Sequence, residues 1–474
     1  MQGEYRGDFT RDTFQWANHF CRVLMQQGRV QLDADWNEQG AILLHFLRGL
    51  ARDLIGPHGG PRLITGGAAP GFAIQAVAGP PEDLTIGAGH YYVDGILCEL
   101  EARVANPNGL VPPAATYLNQ PSLPNPPAVP LTANGLIYLD VWERHLVAAQ
   151  QDAIREVALG GPDTASRAQV VWQVKLATTP PGNQGWPQAD PAQANKFFTA
   201  NWPQWTALWQ PPFRGLLQAQ VPPQQAATDP CVISPRSSYR GTENQLYRVE
   251  IQTGGLFSAA TPPTFKWSRE NGSVVFPILK LGTGNGQTTA TLANLGRDSR
   301  LSLEVNDWVE VVDDASSLLG APRPLLQVQA VDRAGLTVTL AGTASVTVDA
   351  TLSNHPLLRR WDQQAGDPAQ GGLQIQSGDG AALIVEGVWL NLEDGIQIRF
   401  QPGANYRSGD YWLIPARVAT GGIEWPQQAD SQGNLGPAAL PPHGVEHHYA
   451  PLGFFTPGLP NVIDLRHAFG PLAT

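Results

Sequence analysis

Lysine is scarce in this 474-residue chain: Lys175, Lys196, Lys266 and Lys280 are all there are, and the formal net charge is -11. A surface that tracks phosphates needs clustered cations, so nucleic acid is not expected as a partner. Cysteine is equally sparse. Cys21, Cys98 and Cys231 are odd in number and widely spaced, which fits neither a zinc site nor a disulfide scaffold. Long apolar runs are absent too: Ala41 to Leu50 is too short to span a membrane and is interrupted by His45 and Arg48. No membrane insertion is expected. The first twenty residues lack an apolar segment of signal-peptide length, so we expect synthesis and folding in the cytoplasm without a signal peptide. No GxSxG, HExxH or P-loop pattern occurs, and no repeat stands out at a fixed period.

What the chain does have is turn chemistry. Fifty Gly and 42 Pro beside only 15% charged residues fit turn-rich β structure better than a helical bundle. The fold class expected is therefore mainly β and multi-domain, with small barrel-like or sandwich-like modules and one N-terminal amphipathic α-helix. Strand-length blocks of β-branched and aromatic residues recur: LIYLDVWERHLVA and RAQVVWQVKLA as neighbours, then NDWVEVVDD, PLLQVQAVD and GLTVTLAG as a barrel or meander. Asp94-Gly95, Glu270-Asn271-Gly272 and Glu393-Asp394-Gly395 read as hairpin turns. Composition divides the chain into 1–66, arm and helix; 67–130, a small β-module and Pro-rich linker; 131–238, a β-module with a Trp/Pro-rich loop; 239–355, a barrel or meander; and 356–474, a β-module with a Pro/Gly/His-rich tail.

The helical pattern lies in Met25 to Ile55. Trp36, Leu43, Phe46 or Leu47, Leu50 and Leu54 fall on one stripe; Asp33 or Asp35 stands at the N-cap with Glu38 closing a capping box, and Gly56-Pro57 is the stop. Before it, residues 7–27 form an aromatic, irregular arm. Phe9, Phe14, Trp16, Trp36, Leu43, Leu47, Leu50 and Leu54 are the candidate partner-binding residues.

Chemical sites are weaker. Asp33, Asp35 and Glu38 could serve acid/base work, but acids at a helix start are explained by its dipole, so no catalytic residue is assigned. His443, His447 and His448 could ligate a metal, though they sit in a Pro-rich loop without a second cluster, and no metal or cofactor is expected. Trp186, Trp202, Trp205 and Trp209 could form a glycan platform on a long surface loop. Arg359, Arg360 and Asp362 around Trp361 read as an ion-pair and stacking latch.

The blocks GDFTRDTF, VLMQQGRVQLDADWNEQ, DLIGPHGGP, YYVDGILCE, DVWERH, REVALGGPDT, YRGTENQLYRVEI, FKWSRENGSV, LRRWDQ, LEDGIQIRF and GDYWLIPAR resemble those of a bacterial family of unknown function. Its members are similar to proteins encoded beside phage-tail-like contractile injection systems. That resemblance implies a non-enzymatic accessory baseplate, cage or fibre subunit, anchored through its arm and helix. Its implied partners are other baseplate and tail subunits, with homo-oligomers in a symmetric assembly on a particle that can be released. Deleting residues 1–56 would then leave the β-modules folded. The alternative is a carbohydrate-binding or carbohydrate-cleaving β-protein at the particle tip.

Overall fold

Pairing between strands far apart in sequence decides the architecture, which is mainly β in the computed structural model. The structure describes residues 3–62, 71–102, 114–130, 132–182, 184–210, 214–222, 238–258, 260–298, 300–346, 348, 352–457 and 462–470. Cys231 lies outside them.

The strand Gly135–Leu146 pairs antiparallel with Arg167–Ala177 along its whole length, as the two blocks suggest. Its other edge takes His448–Phe455 from the far end of the chain. All twelve residues are buried, because both faces are covered. Ile137, Leu139 and Val141 point into a core with Tyr91, Val93 and Cys98, whereas Leu136 and Tyr138 point the opposite way. That is the two-residue period of a strand between two layers.

The covering layer on that opposite side is helical. Pro191–Trp209 is a helix, here α2 (the N-terminal helix, Asp33–Ile55, is α1), inside a stretch expected to be surface loop. Asp190 caps it by accepting the Gln193 amide at 2.9 Å, and Pro191 occupies the first turn, where its missing N–H costs nothing. Ala194, Phe198 and Trp205 bury its inner face against Phe454 and Leu465. The N-terminal helix is present as expected, but the loop is corrected to a second long helix. Pro203 and the lack of charge disguised a segment whose 194, 198, 205 spacing was helical.

A five-stranded sheet is centred on Gln245–Thr253, flanked by Thr264–Ser268 and Tyr411–Arg417. Tyr247, Val249 and Ile251 join Phe265, Trp267, Trp412 and Ile414 in the largest core. The alternate residues Arg248, Glu250 and Gln252 are buried on the other face. Beyond it lies a closed six-stranded barrel in the order Val275–Gly284, Gln287–Leu292, Thr337–Ala341, Leu325–Asp332, Trp308–Val312, Leu357–Trp361. Phe276, Ile278, Val309, Val328 and Leu340 fill it.

Pairing or packing crosses every boundary drawn from composition. His58–Pro61 pairs with Gly89–Val93, Val174 bonds Gln120, Leu217–Gln220 pairs with Gln397–Phe400, and Leu357–Trp361 closes the barrel. Hairpins form at Asp94-Gly95 and Glu393-Asp394-Gly395. Asn271-Gly272 turns with both residues at positive φ, yet it joins the sheet to the barrel, so that hairpin is corrected to a connector.

Just before Tyr411–Arg417, the fully buried Asp410 receives Arg214 and Arg407 on Oδ1, both at 2.9 Å, while Oδ2 has no partner. Burial pushes its carboxyl up to about 6, against the pull of the two arginines. A raised folded value means that the proton favours the folded state. The gain is complete below about pH 4 and is lost as pH rises through about 6. Lowering the pH from 7.5 to 5.5 should therefore stabilise the wild type relative to Asp410→Asn, by at most about 1.4 kcal/mol per unit, read from urea midpoints. Parallel responses in the two proteins would refute this.

Candidate functional site

The arm begins as part of the body. Arg6 donates from Nε and Nη2 to Glu250 at 3.2 and 2.8 Å, and its backbone N–H reaches Nδ1 of His145 at 3.3 Å. Asn271 donates to the carbonyls of Tyr5 and Gly7, Arg248 to that of Tyr5, and the Tyr411 hydroxyl to that of Gly3. Phe9 packs on Leu246, Tyr411 and Leu413. Glu250 is the centre of this anchor, since Arg248 and Lys266 reach it as well at 2.6 and 3.4 Å. Burial alone would push the Glu250 carboxyl up, but Arg6, Arg248 and Lys266 outweigh it and hold it well below the usual carboxylate range. Burial, with Arg359, Arg6 and Arg248 nearby, holds His145 down at about 3, so it is neutral and free to accept at Nδ1. Phe9 thus belongs to an intramolecular anchor and is corrected as a free partner-binding residue. Deleting residues 1–56 would strip this anchor and leave Glu250 with Arg248 and Lys266.

From Thr10 onward the arm runs beside α1. Thr10 donates its amide and hydroxyl to Asp33, Thr13 its hydroxyl to Glu38 at 2.6 Å, and the Val23 amide reaches Gln39 at 2.8 Å. The N-cap is Leu32, with no side-chain cap; Asp33 already lies inside the first turn, which corrects the capping box. The acids still favour the helix dipole, and their oxygens tie down the arm. Gly56, at φ +91, ends the helix as expected.

Only Ala34 and Ile42 of α1 are buried. Arg48 forms a two-bond pair with Glu143 at 3.1 and 2.7 Å, and the Asp94-Gly95 turn packs against the Arg48 backbone. The opposite side faces outward. Trp36 is 71% exposed, Leu47 62%, and Leu43, Leu50 and Leu54 are similar; Trp16, Phe20 and Leu24 of the arm extend the same character. Phe14 is half-buried, 5.7 Å from the His45 ring. Among the described residues, more than half of the exposed large apolar side chains fall between Trp16 and Leu54. Monomers rarely show contiguous apolar patches beyond a few hundred Å² without a binding role.

The other candidates do not assemble as sites. His447 pairs with Asp140 at 2.6 Å, His448 with Asp94 at 2.9 Å, and the His443 ring lies against Tyr411. They diverge, and no group of three or more potential ligands with metal-holding geometry occurs among the described residues. Trp205 is wholly buried, with Trp186, Trp202 and Trp209 half-buried around it, so the four make an internal aromatic cluster and no open platform. Trp209 stacks on Tyr138 at 4.0 Å.

Sequence reasoning missed a cavity of about 630 Å³ where arm, sheets and barrel meet. Its charged walls largely neutralise one another: Asp140 pairs with Lys175 at 2.6 Å, Lys266 with Glu310 at 2.9 Å, and Arg6 with Glu250. Of the expected latch only the Arg360–Asp362 pair forms, at 3.3 Å; the cation over the Trp361 ring is Lys266, at 4.4 Å, and Arg359 donates to the Gly272 carbonyl instead. Alternation of charged residues in YRVEI was the available signal, but it does not disclose the partners.

No curated protein and no solved structure matches the chain. The model of the family of unknown function DUF6519 matches residues 5–189 and 212–457, most of the length, and the chain therefore belongs to that family.

Proposed function

We propose that this protein is a non-enzymatic structural subunit of a phage-tail-like contractile injection particle, docked to its neighbours through the outer face of α1 and the exposed part of the arm, residues 14–32. The observation that carries this reading is the apolar surface from Trp16 to Leu54, where more than half of the exposed large apolar side chains of the described residues are concentrated in one segment. Full burial of a single Leu is worth about 1.5–3 kcal/mol, so covering several at once is ample drive for docking. The sequence blocks that resemble proteins encoded beside such particles support this choice of assembly. The anchor at Glu250 fits the role, because a docking element transmits load only if it is fixed to the body.

The test is recovery of particles from the native host on the tagged protein. Wild type should bring down sheath, tube and baseplate proteins; Leu43→Glu/Leu47→Glu/Leu50→Glu should bring down at least about tenfold less, because each buried carboxylate would cost several kcal/mol at a covered seam. Equal recovery by the variant would overturn docking through α1. Recovery of the wild-type protein alone would overturn the particle reading.

A further inference from the structure

We infer that copies of this chain associate with one another through α1, whose outer face is a helix-bundle seam. The inference rests on the reading of α1 as the docking element and adds the identity of its occupant.

Trp36, Gly40, Leu43, Leu47, Leu50 and Leu54 follow one another in alternating steps of four and three residues. That 3.5-residue average keeps a stripe facing another helix over several turns, the repeat of a helix–helix seam. Leu44 and Phe46, both exposed, widen the seam on its two sides. A face broadened in this way suits a bundle better than a two-stranded coil. No segment of the described chain is available to cover it. The inner face of α2 is packed on Phe454, and α3, Asp314–Leu319, is less than two turns long.

Charge indicates which helix comes. Along the positions flanking the seam, residues 37, 39, 44, 46, 51 and 53, only Asp53 is charged. A chemically different helix selected by charge would require charged flanks, whereas a copy of a chain carrying a net -11 meets least repulsion where its own surface is neutral. The α1 flanks supply such a strip. With the arm's Trp16, Phe20 and Leu24, the exposed apolar area is on the order of 10³ Å², enough for the roughly 800 Å² per partner of a standard interface. The seam is also free to be met. Ala34, Ile42 and the Arg48–Glu143 pair hold the opposite side of α1 to its own chain, so association need not undock the helix.

Light scattering on the purified full chain at micromolar concentration reads this directly. Wild type should run at an integral multiple of 51.0 kDa and Leu43→Glu/Leu50→Glu at the single-chain mass, with matching circular dichroism and urea midpoints. As a second reading, oxidised Leu47→Cys in a Cys21→Ser background should give covalently linked chains on a non-reducing gel. A wild-type protein that is monomeric, or forms only polydisperse aggregates, would overturn the inference, as would a glutamate variant that keeps the oligomeric mass or a Leu47→Cys variant that never links. The two readings fail separately. A monomer that still recovers baseplate proteins from the host leaves docking to a different protein in place, and a discrete oligomer that recovers none supports self-association while removing the particle.

Discussion

Replacing Glu250 by Gln should cost about 3–5 kcal/mol of folding stability, read from urea unfolding followed by tryptophan fluorescence. The magnitude follows from what the carboxylate leaves behind. Arg6, Arg248 and Lys266 all converge on it, and Arg248 and Lys266 are themselves buried. An amide keeps the shape but supplies no charge, so the buried Arg248 would lose its carboxylate, and Lys266 and Arg6 would be balanced by Glu310 and Glu4 alone. Arg6→Ala should cost less, because it removes one cation and leaves Glu250 with two. Trypsin gives a second signature: the arm around Arg6 and Arg11 should be cut much faster in the Gln variant. The pH response has a definite sign as well. The unfolded carboxyl takes up its proton near about pH 4.3, while the folded one resists until well below, so the contribution is complete above about pH 5 and declines as acid is added. The Gln variant should show a flatter acid limb. A loss under about 1 kcal/mol would mean that the arm is not held by this charge cluster.

Gly95→Ala should loosen α1 from the body at a cost of about 3 kcal/mol or more. Gly95 has φ +80, which an L side chain resists, and a Cβ there would overlap the carbonyl of Arg48. Neither side can give way cheaply. The turn is tied by the Asp94 amide to the Pro57 carbonyl at 2.7 Å and by the Asp94 carboxylate to His448 at 2.9 Å, while Arg48 is held by Glu143. Amide exchange along α1 should accelerate by a factor of a hundred or so, the equivalent of about 2.7 kcal/mol of lost docking. Gly49→Ala in the same helix is the contrasting control. Nothing lies within 4 Å of its Cβ position, so the better helix former should stabilise α1 by about 0.5–1 kcal/mol. Equal effects from the two substitutions would refute the contact at Arg48.

What could be read from the chain was local. The stop of α1 at Gly56, the turns at Asp94-Gly95 and Asp394-Gly395, and the pairing of Gly135–Leu146 with Arg167–Ala177 all depend on residues close together, whose backbone preferences act without help. The exposed stripe on α1 was visible for the same reason. Distance hid the rest. Nothing near His448–Phe455 states that it lies beside Gly135–Leu146, because strands far apart in the chain choose partners by the packing of whole faces. Arg6 and Glu250 are ordinary charges until folding brings them together. α2 was hidden differently, by Pro203 and by tryptophans that suggested an outward surface while Trp205 turned wholly inward.

The Tyr411 hydroxyl bonds the Gly3 carbonyl across 408 residues, and Arg6 meets Glu250 across 244. In a chain made from its N-terminus at about 5–20 residues per second, the arm emerges first and waits tens of seconds for the strand that secures it. For all of that time the apolar segment from Trp16 to Leu54 is in water with no anchored base beneath it. Copies emerging from neighbouring ribosomes could meet along α1 before either body has closed, so chaperone supply and the spacing of translation should govern the yield of correctly built protein as strongly as its final stability does.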